Sequence, residues 1–206
     1  MNTLSREVPI DPAHTALLII DVQNYCVGAP ATESEYFRDS LHDTVLPNIR
    51  RLQSACRRAG IEVIYSVIEN MTRDGRDRSL DYKISGIDVP RDSWDAKVVD
   101  EIAPGDDEMI FRKTSSSVFI STNIDYVLRN LGIRSLIVAG IMTDQCVESA
   151  VRDACDLGYL TTLVTDACTT TSAERHQQSL IGISGYCRQR PADAIVAEIK
   201  TLTGSR

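Results

Sequence analysis

Three residues of chemical interest stand at the ends of apolar runs. Asp21 follows "ALLII", Lys113 closes "EMIFRK", and Cys146 comes shortly after "RSLIVAGI". A thiol beside a carboxylate and an ammonium could do nucleophilic chemistry. The carboxylate would take and return protons, and the cation would stabilise a thiolate. Cys146 follows "IMTD", where Thr143 or Asp144 can cap a helix, so its sulfur falls in a first turn that favours negative charge. Taken singly, each residue has a plainer reading. Cysteine is commonly a small buried hydrophobe, aspartate a strand-end turn residue and lysine a solvated cation.

The runs that must position these groups alternate with helical patterns. Strands are predicted over 15–22, 61–68, 108–113, 134–141 and 159–167. Helices are predicted over 44–60, 121–132, 144–158 and 172–183, with a last one within 191–202. In "TVLPNIRRLQSACRRAG", Leu46, Ile49, Leu52, Ala55 and Cys56 share one face, and Gly60 stops the helix. Strands without polar alternation, each followed by a helix, predict an α/β fold. It has three layers, α/β/α, around a doubly wound, mainly parallel sheet. Such sheets hold their ligands at the carboxyl ends of the strands, where Asp21, Lys113 and Cys146 lie. The 206 residues suit one domain spanning 1–206, without repeats or a linker.

Composition narrows the function further. Hydrophobic content of 43% and charged content of 25% are ordinary for a globular protein. A net charge of −7 argues against a nucleic-acid surface. "ALLII" is far short of a membrane span, and the start of the chain has no signal-peptide pattern, so a cytoplasmic protein without membrane partners is expected. The six cysteines form no CxxC pair and no zinc-like cluster with the three histidines, His14, His42 and His176. A disulfide framework is not expected in that setting.

In order along the chain, "ALLIIDVQN", "FRKTSSSVFISTNIDYVLRNLGI", "LIVAGIMTDQCVESAVRDACDLGY" and "VTDAC" resemble the isochorismatase-like cysteine hydrolases. That family includes nicotinamidases and N-carbamoylsarcosine, ureidoacrylate and biuret amidohydrolases. The resemblance covers residues 15 to about 172. It implies a catalytic triad of Asp21, Lys113 and Cys146 and a cis peptide between Ile141 and Met142. It also implies an oxyanion hole made by the backbone N–H groups of Met142 and Cys146. A helix N-terminus after a tight turn is physically suited to that task.

The family's branches divide on two features. Isochorismatases proper lack the nucleophilic cysteine, so Cys146 points to amide or ureido chemistry. Nicotinamidases carry a metal site of aspartate and histidines after the second strand. Here that region, "SVIENMTRDGRDRSLDYK", has no histidine. No metal and no cofactor are therefore expected.

The same region offers Glu69, Asn70, Arg73, Arg76, Arg78, Tyr82 and Lys83 as substrate-binding candidates. Guanidinium forks suit an acid or ureido group. Asp74, Asp77 and Asp81 could equally neutralise these bases within a surface loop. Gln23, Asn24 and Tyr25 could line the same pocket, with Phe119 and Trp94 as an apolar wall or as core. The expected activity is a cysteine amidohydrolase acting on a small N-carbamoyl or ureido substrate through a thioester, with release of ammonia. A nicotinamidase-like amidase without the usual metal, or a redox-responsive protein with a reactive Cys146, are the alternatives. The resemblance also implies a homo-oligomer, dimer or tetramer.

Overall fold

"TALLII" is buried at all six positions as β1 (Thr15–Ile20), because it is covered on both faces. Alternate side chains point to opposite sides of a strand. Leu17 and Ile19 thus join one apolar cluster, and Ala16, Leu18 and Ile20 join another across the sheet. The computed structural model describes residues 4–28 and 33–203. Among them β1, β2 (Glu62–Ile68), β3 (Met109–Lys113), β4 (Ser135–Ile141), β5 (Leu160–Thr169) and β6 (Arg188–Arg190) form one six-stranded sheet. Its order is β3-β2-β1-β4-β5-β6, and every pairing in it is parallel. The order reverses between β1 and β4, which opens a crevice at their carboxyl ends.

The helices, in chain order, are α1 (Asn24–Gly28), α2 (Glu35–Ser40), α3 (Leu46–Ala59), α4 (Leu80–Ile84), α5 (Val118–Ser121), α6 (Ile124–Asn130), α7 (Glu148–Asp156), α8 (Ala173–Gly182) and α9 (Ala192–Thr203). One layer contributes Ile49, Leu52 and Cys56 of α3 and Ile195 and Ile199 of α9. The other contributes Leu128 of α6, Val151 and Ala154 of α7 and Leu180 of α8. This is the three-layer α/β/α architecture. No helix among the described residues is long and apolar enough to cross a membrane.

Several elements differ from the sequence expectation. The helix expected over 121–132 is two short ones, since Ser117 caps α5 and Thr122 turns to an extended conformation before α6. Widened π-type turns at Leu41–Val45 and Thr143–Val147 lead into α3 and α7, replacing the first turns of the expected helices. β6 escapes the hydrophobic pattern because "RQR" is short and polar. The long polar stretch after β2 is not plain loop. It contains α4 and folds back over the strand ends, with Asn24 N–H donating to Lys97 O and Ser79 N–H to Thr114 O, both at 2.9 Å.

β1 and β4 approach each other closely beside the crevice, and Gly140 makes this possible. Its φ is +128, and a Cβ there would stand 2.2 Å from the Ile20 carbonyl oxygen. No other residue fits.

Candidate active site

Asp21 leaves β1 with φ +55, a left-handed conformation uncommon outside glycine. Its N–H donates to Ser66 O at 3.0 Å, and the Ser66 hydroxyl donates to Asp21 Oδ1 at 2.8 Å, so the carboxylate is tied to β2. Lys113, the last residue of β3, brings Nζ to 2.8 Å from Asp21 Oδ2. Both side chains are out of water, at 0% and 1% exposure. A buried pair of this kind is sustained only when its remaining donors and acceptors are met. Lys113 meets them with Ser115 O at 2.8 Å and Tyr82 Oη at 2.9 Å. Burial works against the ammonium, but the charges of Asp21, Cys146 and Tyr82 outweigh it and hold its pKa well above the ordinary value.

Cys146 completes the cluster from the π-type turn after β4. Its Sγ lies 3.4 Å from Lys113 Nζ and 3.8 Å from Tyr82 Oη. Burial pushes the thiol up to about 12, against the pull of Lys113, with Asp21 raising it further. Burial therefore opposes the stabilisation of a thiolate expected from the first-turn position, while Lys113 supports it. Asp21 Oδ2 holds the ion pair with Lys113, and a side-chain hydrogen bond to Asp21 is among the causes that raise the Cys146 thiol.

The turn bearing Cys146 is braced from behind. Gln145 and Val147 N–H groups both donate to Met142 O, at 3.1 and 3.2 Å. Thr143 Oγ1 lies 2.9 Å from His176 Nδ1, and Ser179 donates to Thr143 O at 3.2 Å. Asp144 accepts from Thr170 at 2.6 Å and from Arg175 at 2.5 Å. The Ile141–Met142 peptide just before the turn is cis.

Above the cluster is a cavity of about 730 Å³, within the range of small-molecule sites. Asp21, Met142 and Cys146 form its floor. Tyr25, Cys26 and Ile68 contribute from the β1 and β2 ends, Asp81 and Tyr82 from α4 and Ser85 from its C-cap, and Gln145 and Ser149 from the Cys146 turn and α7. Among the described residues, no group of three or more His, Cys, Asp or Glu side chains could hold a metal ion.

Of the substrate-binding candidates, only Tyr25 and Tyr82 line this cavity. Gln23 is fully buried in a structural role. Its Nε2 donates to Ile68 O and Asp95 O, and its Oε1 accepts from Ile68 N–H. Asn24 Nδ2 donates to Trp94 O at 2.9 Å. Glu69 is buried against Asp92 N–H and Arg112, and Asn70 bonds Asp88 at 2.6 Å. Three of the four bases are used within the loop itself. Arg78 donates to the Gly75 and Ile87 carbonyls, Arg76 pairs with Asp74, and Lys83 donates to Arg76 O. Arg73 is exposed and outside the cavity. Phe119 packs in the core with its ring 6.0 Å from Tyr159, and Trp94 is solvent-exposed.

Sequence reasoning missed Cys26, Asp81, Ser85, Gln145 and Ser149 as wall residues. Two signals were present. Ser149 is three residues beyond Cys146 and so shares its helical face. Ser79 caps a short helix by accepting from Tyr82 N–H, which sets Asp81 and Ser85, both exposed, one turn apart along the cavity wall.

Residues 15–195 match the Isochorismatase domain family. The chain is 31% identical over 195 residues to the ureidoacrylate amidohydrolase RutB of Rhizobium rhizogenes, covering 84% of this chain and 78% of that protein. It is also 31% identical over 198 residues to RutB of Agrobacterium fabrum, with 84% of each chain covered. The crystal structure of a cysteine hydrolase from Pseudomonas syringae pv. phaseolicola has the same fold, with a TM-score of 0.85 at 25% identity over 98% of this chain and 100% of that one. The whole sheet, from β1 to β6, and the first turn of α9 fall within the matched residues, and this chain is a member of the isochorismatase domain family.

Proposed function

We propose that this protein is a cysteine-dependent amidohydrolase cleaving a C–N bond of a small N-carbamoyl or ureido compound. The observation that carries the reading is the convergence of Cys146, Lys113 and Asp21, at 3.4 and 2.8 Å, on the floor of a substrate-sized cavity. Likeness to ureidoacrylate amidohydrolases supports the choice of bond.

Asp21 takes the Cys146 proton, and Lys113 compensates the new thiolate. The sulfur adds to the carbonyl carbon, and the charge moves to oxygen, which the N–H groups of Met142 and Cys146 receive. As the C–N bond breaks, protonated Asp21 returns its proton to the leaving nitrogen, which departs as ammonia. Asp21 then deprotonates a water that adds to the thioester, and collapse expels the Cys146 thiolate. The proton held by Asp21 returns to sulfur, and the acid is released.

Ammonia release from a panel of ureido acids, neutral ureas, biuret and nicotinamide tests this reading. Wild-type protein turns over at least one ureido member, while Cys146→Ala turns over none and keeps the same circular dichroism and unfolding midpoint. Turnover retained by Cys146→Ala overturns it.

A further inference from the structure

The ureido reading leaves open what the far end of the substrate carries, and the cavity wall bears on this. α4 is pinned to the catalytic cluster through Tyr82, whose hydroxyl accepts from Lys113 Nζ at 2.9 Å and donates to Ser115 O at 2.9 Å. Anchoring Tyr82 fixes its neighbours along the wall, so Asp81 and Ser85 both face the cavity. The charges around this space are mostly spoken for. Asp21 pairs with Lys113, and Asp144 with Arg175. Asp88, beside Tyr25, takes Asn70 and Arg78. Among the described residues the carboxylate of Asp81 has no ion pair and no side-chain hydrogen bond, and no arginine or lysine lines the cavity.

We infer that Asp81 is a specificity-determining residue, and that the substrate's far end carries N–H or O–H donors or a positive charge, not a carboxylate. This rests on the amidohydrolase reading of the same site. Ser85, one turn from Asp81, adds a second polar group that can bind such an end. A carboxylate entering here would meet Asp81 with no paired cation to receive it. The arginine-rich loop, which from sequence suited an acid or ureido group, has Arg76 and Arg78 engaged by its own carbonyls and Asp74.

Three ureas of similar size separate the cases: 3-ureidopropionate, (3-hydroxypropyl)urea and (3-aminopropyl)urea, each followed by ammonia release. Wild-type protein is expected to prefer the hydroxy and amino compounds over the acid in kcat/KM by about threefold or more, the scale of one partly exposed charge interaction. The preference should shrink with added salt. Asp81→Asn should narrow the gap between the acid and the amine, and Asp81→Lys should reverse it. Equal or faster turnover of the acid by wild-type protein overturns the inference but leaves the amidohydrolase reading intact. Ratios unchanged in Asp81→Asn do the same. No turnover of any of the three, with biuret or another ureido member of the wider panel still hydrolysed, overturns the inference alone, and silence across the whole panel removes both.

Discussion

Lys113 must stay charged where no water reaches it, and it does so because four partners surround its ammonium: Asp21, Cys146, Tyr82 and Ser115 O. Its role and that of Asp21 can be separated by substitution. Asp21→Asn keeps volume but removes the proton acceptor, so kcat/KM should fall by about 10²–10⁴. Alkylation of Cys146 by iodoacetamide should slow in parallel, which a purely structural role for Asp21 would not produce. Lys113→Met leaves the Asp21 carboxylate buried without its ammonium, at a cost of about 3–5 kcal/mol. Turnover should vanish, and the thermal midpoint should drop by about 2–4 °C per kcal/mol. An unchanged midpoint would show that the ion pair is not coupled to the fold. These three residues were legible in the sequence because each is a reactive type at the end of an apolar run. The fates of Gln23 and Arg78 were not legible, since their partners are backbone carbonyls of residues distant or irregular in the chain.

The elements that carry the site are held by a few cross-connections over the crevice. Gln23 joins the end of β1 to the end of β2 and to the segment around Asp95 through three hydrogen bonds. Replacing it with Ala strands buried donors and acceptors, each worth about 1–3 kcal/mol when unsatisfied. Gln23→Ala is therefore expected to lower the denaturation midpoint and to raise proteolysis within 88–98 before the rest of the sheet is cut. Limited digestion read by mass spectrometry checks this, and cleavage spread evenly along the chain would count against it. Strands and long helices were readable because their side-chain periods extend over many residues. α4, α5 and β6 were not, because three to five residues hold too little period to stand out from loop.

Across the molecule, buried thiols link stability to alkaline pH. Burial raises Cys56 to about 12, Cys187 to about 11 and Cys146, with Asp21 adding to burial and Lys113 opposing, to about 12, from an ordinary value of 9.0. Above pH 9 the unfolded chain loses these protons while the folded one keeps them, so the derivative of unfolding free energy with pH is negative. Stability should be level up to about pH 9 and fall as pH rises toward 11–12. Chemical denaturation in reductant at stepped pH measures it. Replacing Cys56 and Cys187 with Ala should flatten the alkaline slope, and an identical slope would refute the linkage. At this same scale the division between sequence and structure is clearest. The sequence by itself determined the α/β layering, the reactive residue types and their approach to strand ends, because hydrophobic period and residue chemistry are local properties of the chain. Only the tertiary structure decided that β1 and β4 flank the reversal in strand order and that Gly140 lets them touch. It also decided that burial raises the Cys146 thiol and that, among the described residues, an aspartate rather than an arginine lines the cavity. Desolvation and charge pairing depend on what surrounds each group, and those neighbours come from segments far apart in sequence.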